Sequence, residues 1–398
     1  MKLSKNEFLI IIILALLTAL EALSIDLYLP AFKAISQDLK TDIGKVQISL
    51  SIFLGGFAIG QLLWGPLSDR LGRKLPILIA IAIYSISSLL ILTTSSIEEL
   101  WFYRFLQAFS GSAGVVIARA VVTDIFDKSR TTNIFAVLAL IAGIAPIIGP
   151  STGNLLLNLG HWHNVFIAMA TMGFSAILLV LFFLPETLII NNQNEHTKIK
   201  KNSIIGSYLS VLKNKTFLIY TLIGSMAYSG LMIYISNSPF LVMEKGGFSG
   251  SQYSLVFASN AIGMMRASYS VNYLLKYFHS KQIVKVASIV QFVIGLMIVL
   301  AVWINLPIIY LLILIFLYLI PIGLLFPTIT ALALENFKKD SGTASAVFGF
   351  VQLLITFILS AIIGWIQAGS IFPMAFGLFL CAFISLVLSL ISKTKINN

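Results

Sequence analysis

The chain has 398 residues, 58% of them hydrophobic and 10% charged, with a formal net charge of +11. A soluble domain carries about 25% charged residues, and one membrane-crossing helix needs about 20 apolar residues, so the roughly 231 apolar residues here supply eleven or twelve crossings. These figures exclude an ordinary globular enzyme and a disordered chain, and with Cys381 as the single cysteine they exclude an intramolecular disulfide scaffold.

Apolar runs bounded by charges or turn residues fall at about 7–29, 46–66, 75–93, 100–121, 133–155, 164–184, 217–238, 253–275, 284–304, 308–328, 343–366 and 372–391. Each has the length of a helical span, not the ~10-residue alternation of an outer-membrane strand. The first run, from Phe8 to Leu20, continues into a full span without a small-residue cleavage site, and is expected to stay as an anchor. With the N-terminus placed inside, 19 of the 26 Lys and Arg residues fall in inside segments and four in outside loops. This bias predicts that both termini are cytoplasmic. The +11 is therefore read as a cationic inner face, and no nucleic-acid partner is expected.

The longest polar stretch, 186–215, separates six spans from six and is expected to be a mobile cytoplasmic linker between an N-terminal bundle, 1–185, and a C-terminal bundle, 216–398. A faint repeat supports the division. Ile59, Gly60, Asp69 and Leu71 line up with Ile262, Gly263, Asn272 and Leu274 at a constant offset of 203. Two related six-helix halves form an all-α integral membrane architecture of transporter type.

Four segments carry the chemistry. Span one reads Leu20-Glu21-Ala22-Leu23-Ser24-Ile25-Asp26-Leu27-Tyr28-Leu29-Pro30-Ala31. The loop after span two reads Gly65-Pro66-Leu67-Ser68-Asp69-Arg70-Leu71-Gly72-Arg73-Lys74. Here Gly65 and Pro66 are expected to reverse the chain, Asp69 to face the free N–H groups of the next helix, and the cations to hold the loop at the inner face. Span four contains Arg104-Phe105-Leu106-Gln107-Ala108, and an Arg inside a span faces a cavity or a carboxylate, or else snorkels to the interface. Span five contains Gly143-Ile144-Ala145-Pro146-Ile147-Ile148-Gly149-Pro150-Ser151-Thr152-Gly153, where two prolines kink the helix and Gly149 and Gly153 share one packing face.

Together these segments resemble the major facilitator superfamily. The 65–74 loop is similar to its G-x-L-a-D-r-x-G-r-k signature. Arg104 to Ala108 is similar to R-x-x-q-G, with Ala in the place of the usual Gly, and 143–153 is similar to the G-x-x-x-G-P-x-x-G signature of proton-coupled exporters. Ser24 to Ala31 resembles the first helix of the Bcr/CflA drug-resistance subfamily. So do Ile117 to Phe126 and Ala331 to Glu335, the last followed by Gly342 to Ala346. The resemblance implies a fold of twelve helices in two pseudo-symmetric halves. It also implies alternating access, and a loop built on Gly65, Asp69, Arg70, Gly72 and Arg73 that docks the halves near the start of helix eleven. The implied activity is proton-coupled efflux of small amphipathic compounds across a bacterial inner membrane. A dedicated exporter of an endogenous metabolite is the alternative.

The physics of the intramembrane charges stands beside the resemblance. Burial in a membrane favours the neutral form of a carboxylic acid, so such a group can take and release a proton. Asp26 and Glu21 are the proton-coupling candidates, about 7–8 Å apart along the helix and on different faces; for each, a structural role is the competing reading. Arg104 lies at nearly the depth of Asp26, so a switchable ion pair is one expectation. Arg266, about 15 Å from Lys276 at the inner end of span eight, binds an anionic group, pairs with a carboxylate or snorkels. Tyr28, Gln107, Tyr228, Tyr234, Asn237, Tyr318 and Gln352 complete the substrate-contact set, as polar handles in an apolar pocket. No His pair has metal spacing within a span, and no phosphate-binding loop with Lys-Ser/Thr occurs. The expectation is a monomeric, non-enzymatic protein that needs no cofactor beyond the proton, with a small-molecule substrate and the lipid bilayer as partners.

Overall fold

The computed structural model describes residues 5–188, 211–335, 337, 341–367 and 369–392; within its helices, the side chains of 5, 128, 129, 132, 133, 136, 139, 142, 341 and 342 are outside the description. Twelve long helices dominate it: α1 (Lys5–Asp26), α2 (Ile43–Leu71), α3 (Lys74–Leu90), α4 (Ile97–Ile125), α5 (Lys128–Asn158), α6 (His163–Phe183), α7 (Lys215–Pro239), α8 (Gly250–Leu274), α9 (Ser280–Trp303), α10 (Ile308–Leu334), α11 (Ser341–Ile366) and α12 (Phe372–Ile391). No strand occurs among the described residues. Each expected apolar run centres on one of these helices, and the runs 7–29 and 75–93 continue past their helix ends at Asp26 and Leu90.

Ten of these helical stretches are long and apolar enough to cross a membrane, and α5 and α8 are outside that set. The sequence of α8 shows why it differs: Ser259, Asn260, Arg266, Ser268, Ser270 and Asn272 interrupt its apolar residues. Large apolar side chains lie bare on the outside of the helices, among them Phe102, Leu155, Phe182, Trp303 and Trp365. Lipid is the solvent that accepts such a surface, and closed helices satisfy their own backbone within it.

The chain divides into two compact units, Met1–Asn194 with Gly250–Leu255, and Glu195–Ser249 with Val256–Asn398. Inside the first, α1 packs on α4, α5 and α6, while α3 packs on α4 and α6. Inside the second, α7 packs on α10, α11 and α12, while α9 packs on α10 and α12. Adding six to each helix number of the first pattern gives the second. The faint sequence offset thus has an architectural counterpart.

Two sequence expectations change here. The chain does not reverse at Gly65 and Pro66; α2 runs through Pro66 to Leu71. Proline removes one N–H from a helix that neighbouring helices can still support. The reversal falls at Gly72, whose φ of +88° suits glycine. The polar stretch from 186 also begins as a fixed segment. Glu186 accepts hydrogen bonds from the backbone N–H groups of Arg73 (2.8 Å) and Lys74 (3.1 Å). Near its other end, Asn214 caps α7 by accepting from the N–H of Phe217 at 3.0 Å. The intervening linker, 189–210, lies outside the described residues.

Candidate functional site

The first unit is built around one cation. Arg104 of α4 is fully buried. Its Nη2 donates to the carbonyl oxygen of Ser24 at 3.1 Å and its Nη1 donates to Oε1 of Gln107. The guanidinium lies over the rings of Tyr28 (4.4 Å) and Phe53 (4.3 Å), with Phe166 at 5.9 Å. Burying a charge is costly without partners, and aromatic faces plus oriented acceptors supply them here. The snorkelling alternative for Arg104 is therefore not what the fold adopts.

Hydroxyls extend the cluster. Gln107 Nε2 donates to Ser88 Oγ of α3 at 2.7 Å. The hydroxyls of Ser24 and Tyr84 share a hydrogen bond of 2.6 Å, and those of Tyr28 and Ser49 one of 2.7 Å. Five helices, α1, α2, α3, α4 and α6, thus meet at one buried polar knot. Arg104 remains one bond short: its Nε is buried without a partner among the described residues. Ser24, Ser49, Tyr84 and Ser88 were not among the sequence candidates, because single hydroxyls in membrane helices carry no pattern of their own.

The carboxylates sit beside this knot without entering it. Asp26 is the last residue of α1, 3% exposed, and Glu21 is partly buried one turn and a half earlier. No hydrogen bond or ion pair joins Asp26 to Arg104; the guanidinium holds the α1 backbone two residues away instead. The ion pair considered from sequence is thus absent from this conformation. Asp26 packs on α5 at Gly149. A Cβ on Gly149 would collide with the Asp26 side chain, and one on Gly153 would meet the Leu27 carbonyl oxygen and, at 3.0 Å, its carbonyl carbon and Cα. With Pro146 and Pro150 inside α5, that helix offers a bare face to the end of the helix that carries both acids.

A second cluster lies where α2 ends and α3 begins. Arg73 is buried; its Nε donates to Asp124 at 2.9 Å and its Nη1 to Ser68 at 3.0 Å and to Asp69. Ion pairing with Asp124 and Asp69 outweighs the cost of burial and holds the Arg73 guanidinium charged. Asp69 belongs to the last turn of α2 and does not face the start of α3 as expected. That carboxylate is Glu186. Partial burial pushes Glu186 up, but the N–H groups of Arg73, Leu188, Lys74 and Thr187 outweigh it and hold the group below the usual range. A Cβ on Gly72 would strike the Glu186 carboxylate. Arg70 is exposed, and Gly65 faces Val116 of α4 at 3.6 Å from where a Cβ would sit. Glu186 was missed in the sequence; Pro185-Glu186-Thr187 directly after span six was its only trace.

The second unit scatters the other candidates. Tyr234 accepts from Asn260 Nδ2 at 2.6 Å, and Asn237 donates to the Ile233 carbonyl at 2.8 Å while its Oδ1 is buried without a partner among the described residues. Tyr318 donates to the Leu378 carbonyl at 2.8 Å, so its hydroxyl ties α10 to α12. Gln352 donates to the Gly224 carbonyl at 3.3 Å, and the Tyr228 ring lies 6.0 Å from that of Phe326. Arg266 is exposed and lines a groove between α8 and α10. Ser341 and Gly342, the expected neighbourhood of the docking loop, begin α11, and the surroundings of both lie outside the description.

Comparison with known proteins bears on this architecture. Residues 14–360 match the Major Facilitator Superfamily. The chain is 33% identical over 382 residues to the uncharacterized MFS-type transporter YdgK of Bacillus subtilis, covering 96% of this chain and 94% of that one. It is 27% identical to a bicyclomycin resistance protein homolog of Haemophilus influenzae, with 96% of each covered, and 29% identical to the multidrug resistance protein MdtL of Klebsiella pneumoniae, with 92% and 91% covered. Among solved structures, a D-xylose–proton symporter shares the fold with a TM-score of 0.78 over 96% of each chain at 12% identity. The nucleoside transporter NupG follows with 0.73 over 96% and 98% at 15% identity. The chain belongs to the Major Facilitator Superfamily: it is a multi-pass membrane transporter of small molecules and not an enzyme.

Proposed function

We propose that this transporter exports small amphipathic compounds from the bacterial cytoplasm or inner leaflet in exchange for protons, as a monomer in the inner membrane with both termini cytoplasmic. The observation that carries this reading is the grip of Arg104 on the backbone of α1 at Ser24. It fastens the one helix that holds both intramembrane acids, Glu21 and Asp26, to the rest of its bundle. The names of the bicyclomycin and multidrug resistance relatives support export of drug-like compounds.

In this mechanism the halves rock about the site, and Asp26, with Glu21, takes a proton from outside and releases it inside. Protonated and substrate-bound states exclude one another; differential binding is what lets either ligand shift the equilibrium. Arg104 lacks a partner for Nε in this state, so movement of α1 lets Asp26 supply one. Tyr28 and Gln107 set the position of the guanidinium, and the Gly149–Gly153 face of α5 is the surface on which α1 slides. The Arg73 cluster with Asp69, Asp124 and Glu186 holds the cytoplasmic ends of α2, α3 and α4 in one arrangement. Tyr228, Tyr234, Asn237, Arg266, Tyr318 and Gln352 are the polar handles of the second half.

The test has two stages. A susceptibility panel in an efflux-deficient host expressing the protein identifies a transported compound. Everted vesicles then measure its uptake on imposing a pH gradient. Asp26→Asn and Glu21→Gln are expected to reduce gradient-driven uptake, Asp26→Asn to background. Full transport in both variants overturns the assignment.

A further inference from the structure

The offset of 203 that relates α2 to α8 also shows where the two halves part company. In the first half, Trp64 is 4% exposed and fills the seam between α2 and α4, its Nε1 donating to the Phe109 carbonyl at 2.8 Å. Its neighbours Leu63 and Leu67 are apolar. At the matching positions of the second half stand Ala267 for Trp64, Arg266 for Leu63 and Ser270 for Leu67. Ala267 is buried with α10 close against it, a Cβ on Gly323 falling 3.0 Å from the Ala267 Cβ, and the space lies beside that contact, on the Arg266 and Ser270 side. A cavity of about 590 Å³ opens between α8 and α10, bounded by Arg266, Ser259, Ser270, Phe316, Ile320 and Leu324 among others. That volume is within the ~300–1,000 Å³ range of small-molecule sites.

The composition of this cavity is specific. Phe316, Ile320 and Leu324 form an apolar wall along α10. Arg266 is the one cation in it and has no hydrogen bond or ion pair among the described residues. It lies eight residues inside the Leu274 end of α8, about 12 Å along the helix, and its side chain is exposed to the groove. The Ser259 and Ser270 hydroxyls donate to the Val256 and Ala267 carbonyls of their own helix, so the anion donors are those of the guanidinium, and a guanidinium facing an apolar wall matches a carboxylate or phosphate on an apolar body.

Building on the export reading above, we infer that the α8–α10 cavity is a subsite for the anionic group of an amphipathic transport substrate, with Arg266 as its counter-charge and the α10 wall as the seat of its apolar part. The substrate class is thereby narrowed to compounds that carry an acidic group.

The test uses the purified full chain in phosphatidylcholine vesicles, with dansylamino-undecanoic acid and its primary amide as fluorescent probes. The wild type is expected to bind the acid more tightly than the amide. Arg266→Leu, which restores the residue of the first half, should weaken acid binding about tenfold, one charge-assisted hydrogen bond's worth, and erase the preference for the acid. Arg266→Lys should restore much of it. An unchanged preference in Arg266→Leu overturns the inference. So does loss of acid binding by the wild type in vesicles containing a fifth phosphatidylglycerol, because the cavity then belongs to an anionic lipid headgroup. Gradient-driven transport of panel compounds by the wild type is measured alongside. Its presence with a negative probe result rejects only the subsite, and its absence rejects the export reading itself.

Discussion

Arg104 is the test of whether the buried knot is a coupled unit or a set of separate contacts. Arg104→Lys keeps the charge but loses the fork that reaches both the Ser24 carbonyl and Gln107 Oε1. One charge-assisted hydrogen bond is worth about 1.5–3 kcal/mol. The weaker lie of an ammonium over Tyr28 and Phe53 removes part of a further 0.5–2 or so. The expected loss is about 2–5 kcal/mol. Gln107→Leu removes the same bond from the other side together with the Nε2 bond to Ser88 Oγ, which keeps its own bond to the Tyr84 carbonyl, at about 2–4 kcal/mol. Because both variants delete one shared bond, the double variant should fall short of the sum by about 1.5–3 kcal/mol. Unfolding in detergent, followed by tryptophan fluorescence in a background with Trp303→Phe and Trp365→Phe, reads this directly, since the remaining Trp64, Trp101 and Trp162 all belong to the first unit. Each kcal/mol moves the midpoint by roughly 2–4 °C for a unit of this size. Strict additivity, or an Arg104→Lys protein as stable as the wild type, refutes the account of the knot.

Other consequences are measurable in the same preparations. Gly153→Ala places a methyl group against the Leu27 backbone, which no rotamer change can relieve; a loss of about 1–3 kcal/mol and impaired transport are expected, whereas unchanged behaviour would mean that α1 and α5 do not meet closely there. Gly72→Ala combines a φ of +88° with a collision against Glu186, and should cost about 1–3 kcal/mol in thermal stability. Glu186 sits below its usual range, so its contribution is complete above about pH 4.3 and disappears as pH falls through the lower folded value. Exposed and screened, it is worth roughly 0.3–1 kcal/mol. Glu186→Gln should therefore lower the unfolding midpoint at neutral pH and converge on the wild type in acid, and a constant gap across that scan argues against the cap. Cys381 is 2% exposed in α12, so a maleimide dye should label it only as the second unit unfolds; prompt labelling of the native protein contradicts that packing.

The helices were legible because membrane crossing imposes length and apolarity on each of them separately. The two-unit division left a trace in the 203-residue offset, which the matching packing partners of α1 and α7 make concrete. Arg104, Gln107 and Asp26 stood out as charges and amides in apolar runs. Their surroundings did not, because Ser24, Ser49, Tyr84 and Ser88 become informative only when five helices converge. Asp69 and Glu186 exchanged places for a related reason. Both are carboxylates near a helix start, but Pro66 failed to end α2 and so carried Asp69 away from the position that Glu186 fills from over 100 residues downstream. Trp64 and Ala267 are unremarkable singly, and only their alignment across the repeat gives the difference meaning.

Exchange of proton for substrate at the acids of α1 has a direct signature. Purified protein in weakly buffered detergent solution, mixed with a compound from the susceptibility panel, should release protons on binding near neutral pH. Asp26→Asn should bind the compound and release none, with Glu21→Gln reducing the release. Equal proton release from the wild type and from the variant lacking both acids would contradict that exchange.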